Sequence, residues 1–389
     1  MTAVRRTVRA VALLGVATLL TGCLHVHVQI LSSDSMGGRD NHSDGGVAAR
    51  EYVIDILDLV ADGAVPGETG DAAFEQQFPE GVNVIAQITG TTRPDEYVVI
   101  GAHYDHHAHC GDIAGDTICN GATDNATGTA MVLEMAVRFR ADPPDRTVVF
   151  ALWDAEEDGL LGSQYYVNNP VVPLAQTVAY LNLDIQGANL LPTLRDTTFA
   201  IGAGSGGAPL EAAVDAAYSS STLAGVQLSA IFGLFRSDYA SFLGVNVPTV
   251  FFSDSTGPCY HTPGDEYEVV DLAKLDQQTE VLHRTASALA YDDPASPGSF
   301  VTPAWEARPT AVYADAVMLL QVMDTSMPDW DRFPQELRDS GQAQRDIVAG
   351  IVAGGPSEFG DDDVWPVLNA ASEAINLLTY GDCDGFLVG

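Results

Sequence analysis

Apolar positions along the chain alternate between two spacings. Val47 to Leu59 carries them at helical intervals, and further on short β-branched and aromatic runs interleave with longer helical stretches. The runs Asn83 to Ile88, Tyr97 to Ala102, Thr147 to Trp153, Val178 to Leu183, Thr198 to Gly202 and Pro248 to Phe252 predict strands. Between them, Ala126 to Arg140, Gly159 to Val167, Pro209 to Tyr218, Ser237 to Leu243 and Leu275 to Tyr291 predict helices. Such alternation implies an α/β fold with a mixed, largely parallel central sheet flanked by helices. Gly90 and Pro94 mark a turn between the first two strands, which are therefore expected to form a hairpin. A Pro/Ser/Gly-rich linker, Asp292 to Pro303, leads to three amphipathic helices, Ala311 to Met323, Gln335 to Val352 and Val364 to Leu378. This C-terminal helical extension suits capping the main domain, restricting its cleft or binding a partner, and periodicity does not choose.

The N-terminus adds a location. Arg5, Arg6 and Arg9 precede an apolar run, Ala10 to Leu20, too short to span a bilayer, which is the pattern of an export signal over residues 1–22. Leu20-Thr-Gly-Cys23 resembles the lipobox of bacterial lipoproteins. That resemblance implies a lipid on Cys23 and an exported protein anchored to a bacterial cell-envelope membrane; plain cleavage and secretion is the alternative. Residues 23–41, polar and Gly/Ser-rich, are expected to be a tether, 42–292 the main domain, and 293–389 the linker and helical extension. The net charge of −36, with Lys274 the only lysine, repels polyanions and argues against a nucleic-acid partner. Besides Cys23 there are Cys110, Cys119, Cys259 and Cys383, an even number in an oxidising compartment, so two disulfides are expected. Three pairings are possible. Cys110 with Cys119 would clip the polar loop between them, leaving Cys259 with Cys383.

The candidate chemistry lies just past the strand ends. His103 and Asp105 follow the second run, Glu156 and Glu157 the third, Asp184 the fourth, and His261 sits beyond the sixth. Asp124 joins them from the Gly-rich segment Asn120 to Gly128, at the start of a predicted helix. Open α/β sheets bind ligands beyond the carboxyl ends of their strands, so these loops should converge. Each residue alone has an ordinary reading, as a surface pair, a solvated loop or a helix cap. Together, buried carboxylates and imidazoles at one rim demand a cation, and imidazole with carboxylate suits zinc.

The strings Val98-Val-Ile-Gly-Ala-His-Tyr-Asp-His106, Thr123-Asp-Asn-Ala-Thr-Gly128, Trp153-Asp-Ala-Glu-Glu157, Leu181-Asn-Leu-Asp184 and Tyr260-His-Thr-Pro263 resemble, in order, the signatures of metallopeptidase family 28. The resemblance implies a zinc exopeptidase fold over roughly Ala48 to Ala290 and two zinc ions. His103 and Asp184 would hold one ion, Glu157 and His261 the other, and Asp124 would bridge them. Glu156 would act as general base on a water bridging the metals. Asp105 would orient the His103 ring, Tyr260 would donate to the oxyanion, and Arg236 would assist there or pair with a nearby acid. Among the loop histidines, His106 fits a structural position, and His107 and His109 fall outside the ligand set. The implied function is an aminopeptidase releasing N-terminal residues from peptides. Within the same fold a carboxypeptidase or glutaminyl cyclase is the alternative, and a non-catalytic ectodomain would have lost these ligands.

Overall fold

A computed structural model describes residues 24–291, 312–380 and 383. The export signal, Cys23 and the Pro/Ser/Gly-rich linker expected from sequence lie outside the described residues. In chain order the elements are α1 (Leu24–Leu31), α2 (Asp44–Val60), β1 (Asp62–Gly63), β2 (Glu75–Phe78), β3 (Gly81–Ile88), β4 (Arg93–His103) and α3 (Thr127–Ala141). There follow β5 (Arg146–Trp153), α4 (Leu161–Asn168), β6 (Thr177–Leu183), β7 (Thr197–Ile201), α5 (Gly207–Ser219), β8 (Ala224–Leu228), α6 (Tyr239–Gly244), β9 (Thr249–Ser253) and α7 (Leu272–Ala290). Three further helices close the chain: α8 (Tyr313–Ser326), α9 (Gln335–Gly354) and α10 (Asp361–Leu378).

The strands form one mixed sheet in the order β1-β3-β5-β4-β6-β9-β7-β8, with β2 also paired to β3. Its centre, β5-β4-β6-β9, is parallel throughout. The expected hairpin between β3 and β4 does not form, because β5 lies between them, antiparallel to β3 and parallel to β4. All eight residues of β5 are buried. A strand apolar on both faces belongs in the middle of a covered sheet, and that requirement overrides a turn that would otherwise allow a hairpin.

Successive strand residues point to opposite faces and enter two separate cores. Val98, Ile100, Val148 and Phe150 pack beneath α1, α2, α3, α5 and α7, whereas Val99, Val149, Ala151 and Trp153 pack toward α4, α6 and the C-terminal helices. The C-terminal helices are therefore part of the second helical layer. Ala316, Leu319, Val348, Val367 and Leu377 are buried in the same core as Phe199 and Phe251 of the sheet.

Residues 24–39 are not a tether. Leu24, Val28 and Leu31 of α1 are buried in the first core, and the helix packs on α3. His25 Nε2 lies 2.8 Å from Asp276 Oδ1, and His27 Nδ1 2.6 Å from the Tyr52 hydroxyl, so polar side chains pin α1 as well. Gly38, at φ +81°, passes so close to the backbone of the loop after β4 that a Cβ there would lie 2.3 Å from the His107 carbonyl oxygen. An eight-residue helix whose few apolar positions face one way carries a weak periodic signal, and the glycines and serines that follow it obscured the rest.

Candidate metal centre

The parallel strands bring their carboxyl ends to one edge. His103 closes β4 in register with Trp153 of β5, and Asp184 directly follows β6, whose Leu183 pairs with Phe252 of β9. The chain then turns sharply after β5, β6 and β9 and again at His261. Ala155, Ile185, Ser255 and His261 all have φ between 53° and 68°. L-residues occupy this region rarely, a β-branched one such as Ile185 least of all, and such conformations persist where the surroundings enforce them.

The side chains that sequence placed in different loops meet there. His103 Nε2 is 3.2 Å from Asp124 Oδ1 and 3.4 Å from Asp184 Oδ1. His261 Nε2 is 3.2 Å from Asp124 Oδ2 and 3.1 Å from Glu157 Oε2. Asp124 thus stands between two imidazole–carboxylate groups. Donor atoms of His106, Asp124, Glu157 and His261 fall within 4.8 Å of one another, as do those of His103, Glu156 and Asp184. His106 Nδ1 lies 2.6 Å from Glu157 Oε1 and His107 Nε2 3.3 Å from Glu157 Oε2, so two histidines outside the expected ligand set also touch this carboxylate. His109 instead meets the Thr117 carbonyl across the clipped loop. Both disulfides have the pairing favoured from sequence, Cys110 with Cys119 and Cys259 with Cys383.

Asp105 sits beneath the site and, besides lying against the His103 ring as expected, reaches a further partner. Its carboxylate accepts from the backbone N–H groups of Glu156 and Glu157, at 3.1 and 3.3 Å. The His103 Nδ1 atom faces the Asp105 carbonyl oxygen at 3.1 Å and lies 3.6 Å from its carboxylate, beyond hydrogen-bond length. Asp105 therefore fixes the acidic doublet as much as the imidazole. Tyr260 stacks on the His261 ring, centroids 3.8 Å apart, and Arg236 is exposed on the wall of the adjoining cleft with no ion pair to any described residue.

Two residues missed in the sequence hold the Asp124 loop. The buried Asp265 carboxylate accepts from the Thr123 and Asp124 N–H groups and from the Thr123 hydroxyl. Its position four residues after His261, in His261-Thr-Pro-Gly-Asp265, was a readable signal. The buried Arg39 guanidinium donates to the carbonyls of Leu31, Tyr104, Asn120 and Gly121. It had no sequence signal, because it lay in a stretch read as tether.

Charge is distributed unevenly. Burial would lower the His103 and His261 pKa values, yet the surrounding carboxylates raise both, His261 to about 10. Burial pushes the Glu156 carboxyl well up, with the charges of Asp184, Asp238 and Glu157 adding to it against His103. Burial acts likewise on Glu157, but the imidazoles of His106, His107 and His261 beside it hold its carboxyl well below the usual range. Neighbouring carboxyls driven apart in this way are suited to different tasks, one binding a cation and one exchanging a proton.

The donor set fits zinc. Imidazole nitrogen and carboxylate oxygen are its usual ligands, and the His261 Nε2 atom, buried between two carboxylates, makes no hydrogen bond with either. Nitrogen and oxygen atoms that approach without donating to each other are arranged as ligands converging on a cation. Residues 83–286 match the model of Peptidase family M28. The chain belongs to this family of zinc exopeptidases. It is 35% identical over 218 residues to the probable glutamate carboxypeptidase LAMP1 of Arabidopsis thaliana, covering 52% of this chain and 29% of that protein. It is 33% identical over 161 residues to leupeptin-inactivating enzyme 1 of Streptomyces exfoliatus, covering 41% and 33%. The match thus spans a third or less of either relative. In fold it is similar to a Zn-dependent exopeptidase from Parabacteroides distasonis, with a TM-score of 0.54 at 18% identity over 68% of this chain and 97% of that one. A glutaminyl cyclase from Bacteroides thetaiotaomicron is similar to the same degree, over 70% and 97%.

Proposed function

We propose that this M28 peptidase is an aminopeptidase carrying two zinc ions, one held by His103 and Asp184, the other by Glu157 and His261, with Asp124 shared. The observation that supports this reading is the pair of imidazole–carboxylate groups meeting at Asp124. When bound, zinc supplies Lewis acidity toward the scissile carbonyl and the attacking water. Glu156, buried beside the cluster and kept out of the histidine contacts that occupy Glu157, takes the proton from that water and passes it to the leaving amine. The Tyr260 hydroxyl, held by stacking on His261, donates to the tetrahedral oxygen. Asp105 keeps the Glu156–Glu157 backbone in place. The acidic rim favours a cationic free α-amino group over a terminal carboxylate. Arg236, without an ion pair among the described residues, favours the second reading, a carboxypeptidase, since a guanidinium pairs readily with a carboxylate.

Glu156→Gln is expected to keep zinc and fold while lowering kcat by a factor of about 10² to 10⁴, the span of general acid–base contributions. Asp124→Ala is expected to lose metal together with activity. Metal analysis beside hydrolysis of a peptide blocked at its amino or its carboxyl end checks both, and cleavage of the amino-blocked peptide alone would turn the assignment to carboxypeptidase. For location we propose export and lipid attachment at Cys23. In a bacterial host, Cys23→Ser should then move the protein from the membrane to the soluble fraction, and an unchanged distribution would refute the anchor.

A further inference from the structure

The metal centre opens on one side into a cleft that residues of the family-matching segment do not enclose alone. Its floor is the sheet face carrying Phe199, Ile201, Val226, Leu228 and Phe251, alternate positions of β7, β8 and β9. Four of these, Phe199, Ile201, Val226 and Phe251, keep 7–8% of their surface exposed, in a sheet where neighbours such as Ala200 and Val250 keep none. That residual exposure faces the cleft. The roof comes from the C-terminal helices: Leu319 and Val322 of α8, and Ala371, Ala374, Ile375 and Leu378 of α10. The α10 positions follow the i, i+3, i+4, i+7 spacing of one helical face, so the cleft is bounded by a whole stripe of that helix. At the metal end stand Asp124, Glu156, Glu157, Asp184, Tyr260 and Arg236; among the described residues, none of the others lining the cleft is ionisable.

We propose that α8 and α10, which lie beyond the family-matching segment, form the specificity wall of the active site and set how large an apolar side chain the cleft takes on the substrate residue bound beside the metals. This rests on the peptidase reading above and deepens it. A charged side chain pushed between sheet and helices would lose its hydration without a partner, a cost that far exceeds any contact it could make there. An apolar one replaces water against apolar walls on both sides. Ala371 and Ala374 are the smallest side chains of the stripe, so a larger residue at either place would take up room in the cleft.

Two measurements test this. With the zinc-loaded protein, Ala374→Phe should lower the ratio of kcat/KM for a phenylalanyl reporter over an alanyl reporter at least tenfold, chiefly through KM. Trp365→Ser, on the solvent side of α10, should leave that ratio as it is in the native protein. Equal losses on both reporters would overturn the proposal. With the metal-free protein, calorimetry of an alkylammonium series from butyl to octyl should show affinity rising about fourfold per methylene until the cleft is filled, with the rise abolished in Ala374→Phe. Affinity independent of chain length would also overturn it. A length-dependent series in a protein that hydrolyses no aminoacyl reporter would refute the aminopeptidase reading and leave the apolar site standing.

Discussion

Arg39 is the residue whose removal should be felt farthest from its own position. Burial holds its pKa down to about 10, while Asp124, Asp265, Asp105 and Glu157 oppose that by their charge, so the guanidinium is a fixed cation beneath an acidic centre. Its four carbonyl partners belong to the N-terminal segment, to the residue after His103 and to the two residues that open the Asp124 loop. Arg39→Met would strand those acceptors and remove a buried charge, which typically costs about 3–5 kcal/mol. It should also weaken zinc binding by roughly 10- to 100-fold, as loss of a group that orients ligands does. Competition against a chromophoric chelator, under conditions where the variant is still folded, measures this. Native zinc affinity in Arg39→Met would show that the guanidinium holds the fold together without positioning the ligands.

At the scale of elements, α1 is the one whose role is open to titration. His27 is 3% exposed and burial lowers its pKa from 6.5 to about 4. Above pH 6.5 it is neutral in folded and unfolded chains alike and adds no pH dependence. Between pH 6.5 and 4 the unfolded chain takes up a proton that the folded chain resists, so stability falls with pH by up to roughly 3 kcal/mol and no further below. Urea unfolding at pH 7 and pH 4.5 should therefore show a loss in the native protein roughly 2–3 kcal/mol larger than in His27→Gln; equal losses would mean that α1 is not docked in solution. This helix also shows where sequence stops being informative. The strands β3, β4, β5, β6, β7 and β9 were legible because apolar runs of their length have few other uses, and the site because strand ends carried its ligands. The expected hairpin failed because pairing partners are chosen by burial of both faces of β5, which no local turn signal reports. The short β8, β1 and β2 escaped notice for a related reason: edge strands such as Ala224–Leu228, with two exposed residues, carry little apolar pattern. Arg39 was invisible as a site element, and restriction of the cleft by the C-terminal helices stayed one option among three, because such contributions depend on contacts more than sixty residues away in the chain.

For the molecule as a whole, the question is whether the C-terminal helices fold with the sheet or merely rest on it, and the two disulfides separate these cases. Cys110–Cys119 spans 9 residues within the metal loop, while Cys259–Cys383 spans 124 and ties the end of the chain to the residue before Tyr260. If both bridges restrict one cooperatively unfolding chain, removing the short one should cost about 2.5 kcal/mol and the long one about 5 kcal/mol by loop-closure entropy. A separately melting helical module would behave otherwise, because the bridge would then join two pieces that unfold independently and two transitions would appear. The shared core of Leu319, Val367 and Leu377 with Phe199 and Phe251 argues for the first case. Urea titration of Cys110→Ala/Cys119→Ala and of Cys259→Ala/Cys383→Ala is expected to give single transitions, with the larger loss for the second pair. That second variant should also raise KM more for phenylalanyl than for alanyl reporters, since α10 loses its covalent tie to the His261 loop and the cleft wall loosens. Two resolved transitions in the native protein, or a smaller loss from the long bridge than from the short one, would show that the wall is an appendage and not a layer of the fold.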